Sequence, residues 1–232
     1  MLIVVGIAGG ALFGKGTRSR SQTTPTATAT PAEEGTETPP EAEPRQVKSY
    51  PAEPAMTIDT SKQYFAVIKT DKGDIRLQLF ADQAPRAVNN FVFLAKDGFY
   101  DGLTFYRVLP GFVAQAGDPT CTDSAEVTCT TSGGPGYSLP RDSNDLKHEA
   151  GVVAMAAPQG GEDTNGSQFY ITYTAQSHLD GRDTVFGKVV EGMDVAESLT
   201  SRDARDPTAP PGDKIVSVSI EELGGAPSPT TE

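Results

Sequence analysis

Between residues 17 and 57 the chain is built mainly of Ser, Thr, Pro, Ala and Glu. Its centre, QTTPTATATPAEEGTETPPEAEP, has no aromatic and no large aliphatic side chain. Such a segment cannot bury enough apolar surface to offset the entropy lost on ordering. Its prolines favour stiff, extended conformations and its glutamates repel one another. A disordered linker is therefore expected over residues 17–60, and any core must come from the residues beyond it. The 37% hydrophobic content of the whole chain is then a diluted figure. Four parts are expected: an apolar N-terminal targeting or anchor segment (1–16), the linker (17–60), one folded domain (61–225) and a disordered tail (226–232).

The front segment, LIVVGIAGGALF from Leu2 to Phe13, is apolar and uncharged. It is shorter than the roughly 20 residues that span a bilayer. Signal peptides carry positive charge before the apolar run, but here Lys15, Arg18 and Arg20 come after it. Three readings stay open: a longer anchor whose basic front is missing, a short signal sequence, or a buried strand. Membrane targeting is the expectation adopted, and with it an extracytoplasmic place, anchored or secreted, in preference to the cytoplasm. No lipobox-type Cys comes after the run.

The formal net charge is −12. Nucleic acid and anionic membrane surfaces need clustered positive charge, so neither is expected as a partner, and membrane contact is expected only through the N-terminal segment. Residues 61–232 hold 24 of the 31 acidic and 14 of the 19 basic residues, so the acidity belongs mostly to the folded part. Two His and two Cys exclude a multi-histidine metal centre and a four-cysteine iron–sulfur cluster. No metal and no cofactor are expected.

From residue 61 the pattern becomes that of a folded domain. In YFAVIKT, Tyr64, Ala66 and Ile68 alternate with Phe65 and Val67. After the turn DKGD, IRLQLF alternates Ile75, Leu77 and Leu79 with Arg76, Gln78 and Phe80. Period two on both sides of a turn predicts a hairpin. A helix is predicted next, with Pro85 in its first turn. Val88, Phe91, Val92 and Ala95 share one face, and Gly98 marks the stop. A second helix is predicted over Met193–Ser201, with Val195, Ala196 and Leu199 inward. Short apolar runs punctuated by glycine fill the rest, which points to a mainly β barrel or sandwich with helical caps.

Five segments occur in a telling order: APRAVNNFVFLAKDGFYDG, FYRVLPGFVAQAGD (Phe105–Asp118), TNGSQFYIT (Thr164–Thr172), HLDG (His178–Gly181) and VFGKVVEGMDV (Val185–Val195). Together they resemble the cyclophilin family of peptidyl-prolyl cis–trans isomerases, in its bacterial type, over Tyr64–Leu223. The resemblance implies a mainly β fold, an eight-stranded antiparallel barrel capped by two α-helices. It also implies an enzyme that speeds rotation about X–Pro bonds during protein folding. Its partners would be proline-containing polypeptides, and it would act as a monomer. A non-catalytic proline-binding chaperone or scaffold is the alternative. A hydrolase is not supported, because GSQ is not a nucleophile elbow.

The resemblance places the catalytic arginine at Arg107 and a substrate-orienting glutamine at Gln115. Phe112, Val113, Tyr170 and Leu179 match pocket positions. Val113 stands where methionine is common and Tyr170 where phenylalanine is usual. Adjacent strand residues face opposite sides, so Phe169 is expected in the core and Tyr170 at the pocket, its hydroxyl needing a partner. Ala156 and Ala157 match substrate-binding positions, and Ala157 matches a contact made to peptide backbone through the main chain. His178 stands where some members carry tryptophan, and it is expected to border the pocket without acid–base work. Bacterial relatives with histidine there are less sensitive to cyclosporin, so a cyclosporin-type ligand is only weakly implied. Asp183 or Thr184 replaces a histidine of the eukaryotic pattern. Asn165-Gly166-Ser167 reads as a glycosylation sequon, but its place inside a structural motif favours a structural role.

Related bacterial sequences pass from the GD at Gly117-Asp118 to GGPGY sooner than this one does. The stretch DPTCTDSAEVTCTTSGGPG therefore contains an insertion, and both cysteines lie in it. A disulfide between Cys121 and Cys129 is expected, which fits an oxidising compartment. Two free thiols are the alternative. Asp118, Asp123 and Glu126 are read as solvated acids in preference to a Ca²⁺ site.

Overall fold

A computed structural model describes residues 47–122, 129–158 and 163–224. The expected N-terminal segment, most of the expected linker and the expected tail lie outside the described residues. The elements run β1 (Gln63–Thr70), β2 (Gly73–Leu79), α1 (Pro85–Lys96), β3 (Arg107–Leu109), β4 (Val113–Ala116), β5 (Val152–Met155) and β6 (Phe169–Thr172). After these come a 3₁₀ turn (Ser177–Leu179), β7 (Val185–Glu191), α2 (Met193–Glu197), β8 (Arg202–Asp203) and β9 (Ile215–Leu223). The nine strands form one sheet in the order β8-β3-β4-β6-β5-β7-β2-β1-β9, and every pair in it is antiparallel.

The mainly β antiparallel architecture matches the expectation, with nine strands in place of eight. The ladder itself is open. At its β9 end, the run before β3 meets the start of β9. There Gly102 N–H donates to Ile215 O (2.7 Å), Ile215 N–H to Leu103 O (2.8 Å) and Phe105 N–H to Asp213 O (2.9 Å). The second helix is shorter than expected, ending at Glu197. Ala196 and Leu199 are buried as predicted, whereas Val195 is only partly covered.

The hairpin forms as its alternation dictates, with Tyr64, Ala66, Ile68, Ile75, Leu77 and Leu79 all buried. Helix α1 starts on Pro85 and buries Val88, Phe91, Val92 and Ala95. Its end is tied by Gly98 N–H to Ala95 O and Phe99 N–H to Leu94 O, both 2.9 Å. This pairing needs a left-handed residue at position 98, where glycine has φ 66°. Phe91 sits at the centre of the core, 5.0 Å from Tyr100, 5.3 Å from Phe186 and 5.5 Å from Phe169, measured between ring centroids.

The domain begins earlier than the composition suggests. Tyr50 packs on Phe93 and Phe99, donates its hydroxyl to Asp97 (2.7 Å) and its N–H to Pro135 O (2.8 Å). Lys48 pairs with the same Asp97. Further on, the buried Asn89 of α1 accepts Thr57 N–H (2.9 Å) and Ile58 N–H (3.3 Å), and donates to Ala55 O (3.0 Å). A segment read as the end of the linker is thus fastened to the domain by a few well-placed groups, despite its polar composition.

Cys121 and Cys129 form a disulfide. Residues 123–128 between them, with Asp123 and Glu126, lie outside the described residues. Asp118 is fully buried, contrary to the reading as a solvated acid. Among the described residues no group of three or more His, Cys, Asp or Glu is arranged to hold a metal ion. Phe91→Ala should cost about 3–5 kcal/mol of stability in urea unfolding, because a central ring is lost from a closed aromatic cluster. Reduction of Cys121–Cys129 should cost roughly 2–3 kcal/mol by the loop-closure argument. That loss would appear as a lower thermal midpoint with reductant, absent in a Cys121→Ser/Cys129→Ser double variant.

Candidate active site

Residues opposite one another in an antiparallel ladder point to the same face. Register therefore builds a row: Asp203 faces Arg107, Arg107 faces Gln115, Gln115 faces Tyr170 and Tyr170 faces Ala154. The row lies on the face away from the main core. The alternate residues Val108, Ala114, Ala116, Phe169 and Ile171 belong to the core itself. Phe169 and Tyr170 therefore face opposite ways, as strand alternation required.

Arg107 is half-buried. Its Nη1 donates to Gln115 Oε1 (3.4 Å), and its guanidinium carbon stands 5.2 Å from the centroid of the Phe112 ring, a cation–π distance. Gln115 Nε2 donates in turn to Gln168 Oε1 (3.0 Å), and Tyr106 Oη donates to that same oxygen. Gln168 Nε2 donates to Gly133 O (2.9 Å) and Asp118 Oδ2 (3.2 Å). Asp118 also accepts the N–H groups of Gly133 and Thr120, both at 2.8 Å. The guanidinium thus stands at the end of a hydrogen-bonded chain that runs back to a buried carboxylate. Burial pushes the Tyr106 phenol well above its ordinary pKa, so it stays a donor.

On the other side of Arg107, Asp203 takes charge-assisted bonds from Arg205 Nη2 (2.5 Å) and Nε (3.0 Å). These bonds hold the Asp203 carboxyl down at about 2, with Arg107 adding to the effect. Arg107, Gln115, Ala156, Ala157, Ser132 and Asp203 share a cleft of about 480 Å³. Beside it lies a small apolar cluster separate from the main core, made by Val113, Val152, Ala154, Ala156, Tyr170 and Val185, with Phe112 and Leu179 packed against it. His178 is exposed and lies against Phe112, with ring centroids 6.0 Å apart and planes 17° apart.

The nine candidate residues therefore fall into two adjoining groups. Arg107, Gln115, Ala156 and Ala157 border the cleft. Phe112, Val113, Tyr170, Leu179 and His178 surround the apolar patch, and Ala156 touches both. Asp183 hydrogen-bonds to Tyr170, whereas Thr184 is buried and donates to Asp142 O. Asn165 uses its Oδ1 to accept Gln168 N–H (3.1 Å), a structural role.

Sequence reasoning missed several residues of this site. Gln168 and Asp118 both sit inside motifs already singled out, but their role depends on a long-range meeting of β4 with the loop before β6. Asp203 and Arg205 lie in SRDARDP, which has no period to read. Gly117 is part of the same meeting. Its φ is 93°, and a Cβ there would stand 2.3 Å from Ser167 O. Any other residue would push apart the strands that carry Gln115 and Tyr170.

The family model for cyclophilin-type peptidyl-prolyl cis–trans isomerases matches residues 65–220. A peptidyl-prolyl cis–trans isomerase of Synechococcus elongatus is 46% identical over 157 residues, which cover 67% of this chain and 94% of that protein. Peptidyl-prolyl cis–trans isomerase B of Bacillus subtilis is 45% identical over 135 residues, covering 57% and 87%. A crystal structure of a Cryptosporidium parvum cyclophilin-type isomerase, determined in the presence of the dipeptide Ala-Pro, is 31% identical with a TM-score of 0.58. The match covers 68% of this chain and 98% of that one. On these likenesses and on the fold, the chain belongs to the cyclophilin-type peptidyl-prolyl cis–trans isomerases.

Proposed function

We propose that Arg107 is the catalytic donor of this isomerase, that Gln115 orients the substrate backbone, and that the apolar patch grips the proline ring. The X–Pro bond rotates over a barrier of about 18–20 kcal/mol because its C–N bond has double-bond character. Its two end states differ by only about 0.5–1 kcal/mol. Catalysis here needs no nucleophile and no proton transfer. It needs a site that binds the twisted amide better than either planar form.

In the twisted amide the nitrogen lone pair is localised and accepts a hydrogen bond. A guanidinium carries a permanent charge and several donors in a fixed fork, which suits both that nitrogen and the preceding carbonyl. The observation that carries this reading is the place of Arg107. Its fork stacks on Phe112, is held by Gln115 and stands where the polar cleft meets the apolar patch. A proline seated among Phe112, Val113, Tyr170 and Leu179 would bring its amide to that border. Ala157 offers peptide backbone along the cleft, beside Ala156, whose own N–H and C=O are taken by Gln168 and Asn165, and His178 closes the outer rim. A cyclosporin-type ligand would meet the same residues. The protein acts as a monomer on proline-containing segments, and no nucleic acid is involved.

The same reading places the work outside the cytoplasm, with the N-terminal apolar segment as tether or export signal. The disulfide and the Thr/Pro-rich stretch support this. Thiol labelling of unreduced protein from intact cells should then find neither cysteine reactive, and fractionation should find the chain outside the cytoplasm. Two reactive thiols in a cytosolic fraction would refute it. For catalysis, Arg107→Ala should lower kcat/KM for an X–Pro peptide by about 10²–10³, the range for removal of one preorganised donor. The circular dichroism spectrum should be unchanged. Full activity in that variant would remove Arg107 from its role.

A further inference from the structure

Beneath the apolar patch, Tyr170 is 4% exposed and His148 is 1% exposed. The Tyr170 hydroxyl lies 2.7 Å from Asp183 Oδ2 and 3.0 Å from His148 Nε2. His148 Nδ1 lies 3.2 Å from Asp180 Oδ1, and that carboxylate also accepts the His148 N–H at 2.9 Å. The imidazole and phenol rings are nearly parallel, 18° apart. Four side chains thus form one line: Asp180, His148, Tyr170, Asp183.

Counting protons along the line gives a definite result. The side-chain contacts number three, and each needs one hydrogen. A neutral imidazole and a phenol supply two. With both carboxylates charged and His148 neutral, one contact therefore sets acceptor against acceptor. A third proton completes the line in either of two ways. His148 is imidazolium, donating to Asp180 and to Tyr170, which donates to Asp183. Alternatively Asp183 is protonated and donates to Tyr170, which donates to His148, which donates to Asp180.

We propose that His148, Asp180 and Asp183 are positioning residues that hold Tyr170 against the proline ring through a line of hydrogen bonds sharing one extra proton, so that substrate grip weakens when the line loses that proton. This rests on the pocket role given to Tyr170 above. Burial raises the Asp183 carboxyl above its ordinary pKa, in keeping with a proton held nearby, and hydrogen bonds from His148 lower that of Asp180. Other charges face the line. Lys147 stands 3.6 Å from Asp180. Arg182 and Arg141 act on Asp183, and Asp142 and Asp163 line the polar cavity that Asp183 borders. Glu149, next to His148, is exposed.

The proton count sets the sign. The line is complete at low pH and loses a contact once the shared proton leaves as pH rises. KM for an X–Pro peptide should therefore rise about two- to tenfold across that loss, the effect of losing one hydrogen bond, with kcat changing less. The chain has two histidines, His148 and His178, so ring ¹⁵N signals can be tracked over the same titration and assigned with His178→Asn. In wild type the signal of the group that holds the proton, the His148 ring or the Asp183 carboxyl ¹³C, should move together with KM. In Tyr170→Phe and in Asp183→Asn the KM profile should flatten, whatever the level of activity. A KM profile that keeps its wild-type slope in both variants, or a His148 ring signal and an Asp183 carboxyl ¹³C signal that both stay constant with pH, would overturn the proposal. Should Tyr170→Phe leave KM unaltered at every pH, the pocket role of Tyr170 would fail instead, and the ¹⁵N and ¹³C titrations would still judge the shared proton.

Discussion

The pleat of three short strands governs both the stability and the chemistry of this protein. β4, β5 and β6 send Ala114, Ala116, Val153, Met155, Phe169 and Ile171 into the core. The residues between them, Val113, Ala154 and Tyr170, go to the opposite face, with Gln115 beside them. Because side chains alternate with period two, a slip of one residue in any of these strands would exchange the two sets. The aromatic cluster around Phe91 therefore does more than stabilise the fold. By seating Phe169 it fixes the direction of Tyr170, and through the ladder it fixes Gln115 and Arg107.

On the proposed reading, this site catalyses a reaction without bond-making by placement alone. The groups around Arg107 form two supports of different kinds. One is polar and reaches inward through Gln115 and Gln168 to buried Asp118. The other is the face of Phe112. A long, flexible arginine side chain loses much rotamer freedom when held, and here that loss is met before substrate arrives. On the proposed reading, preorganisation of this sort would let the charge act on the twisted amide without reorienting at the moment of rotation.

Much of this is legible in the sequence, for reasons that differ by region. The β1–β2 hairpin and α1 are plain because their apolar residues keep strict periods over seven or more positions. The family motifs locate Arg107, Gln115 and Tyr170, which the ladder brings into register, and Phe112 in the turn before β4. Other features carry no local signal. A two-residue strand such as β8 has no period. Asn89 and Asn90 sit on the buried side of α1, where composition argues against them. Their amides serve as posts for the segment at residues 55–58 and for Gly166 O. His148 lies between motifs, and its meeting with Tyr170 depends on how the loop before β5 returns to β6. The N-terminal edge of the domain escapes a reading by composition because a strap held by Tyr50 and a few hydrogen bonds needs little apolar content.

The close approach at Gly117 bears on how this pocket can change over evolutionary time. Where the backbone of β4 meets that of Ser167 there is no room for a Cβ, so the spacing between the strands is not open to gradual adjustment. The side chains standing on those strands are free of that restriction. Val113 and Tyr170 both depart from the commoner family residues while the frame beneath them is kept. New substrate preferences in this lineage would therefore arise by exchanging side chains on an unchanging scaffold, each exchange tested separately against peptide, with the geometry around Arg107 left intact.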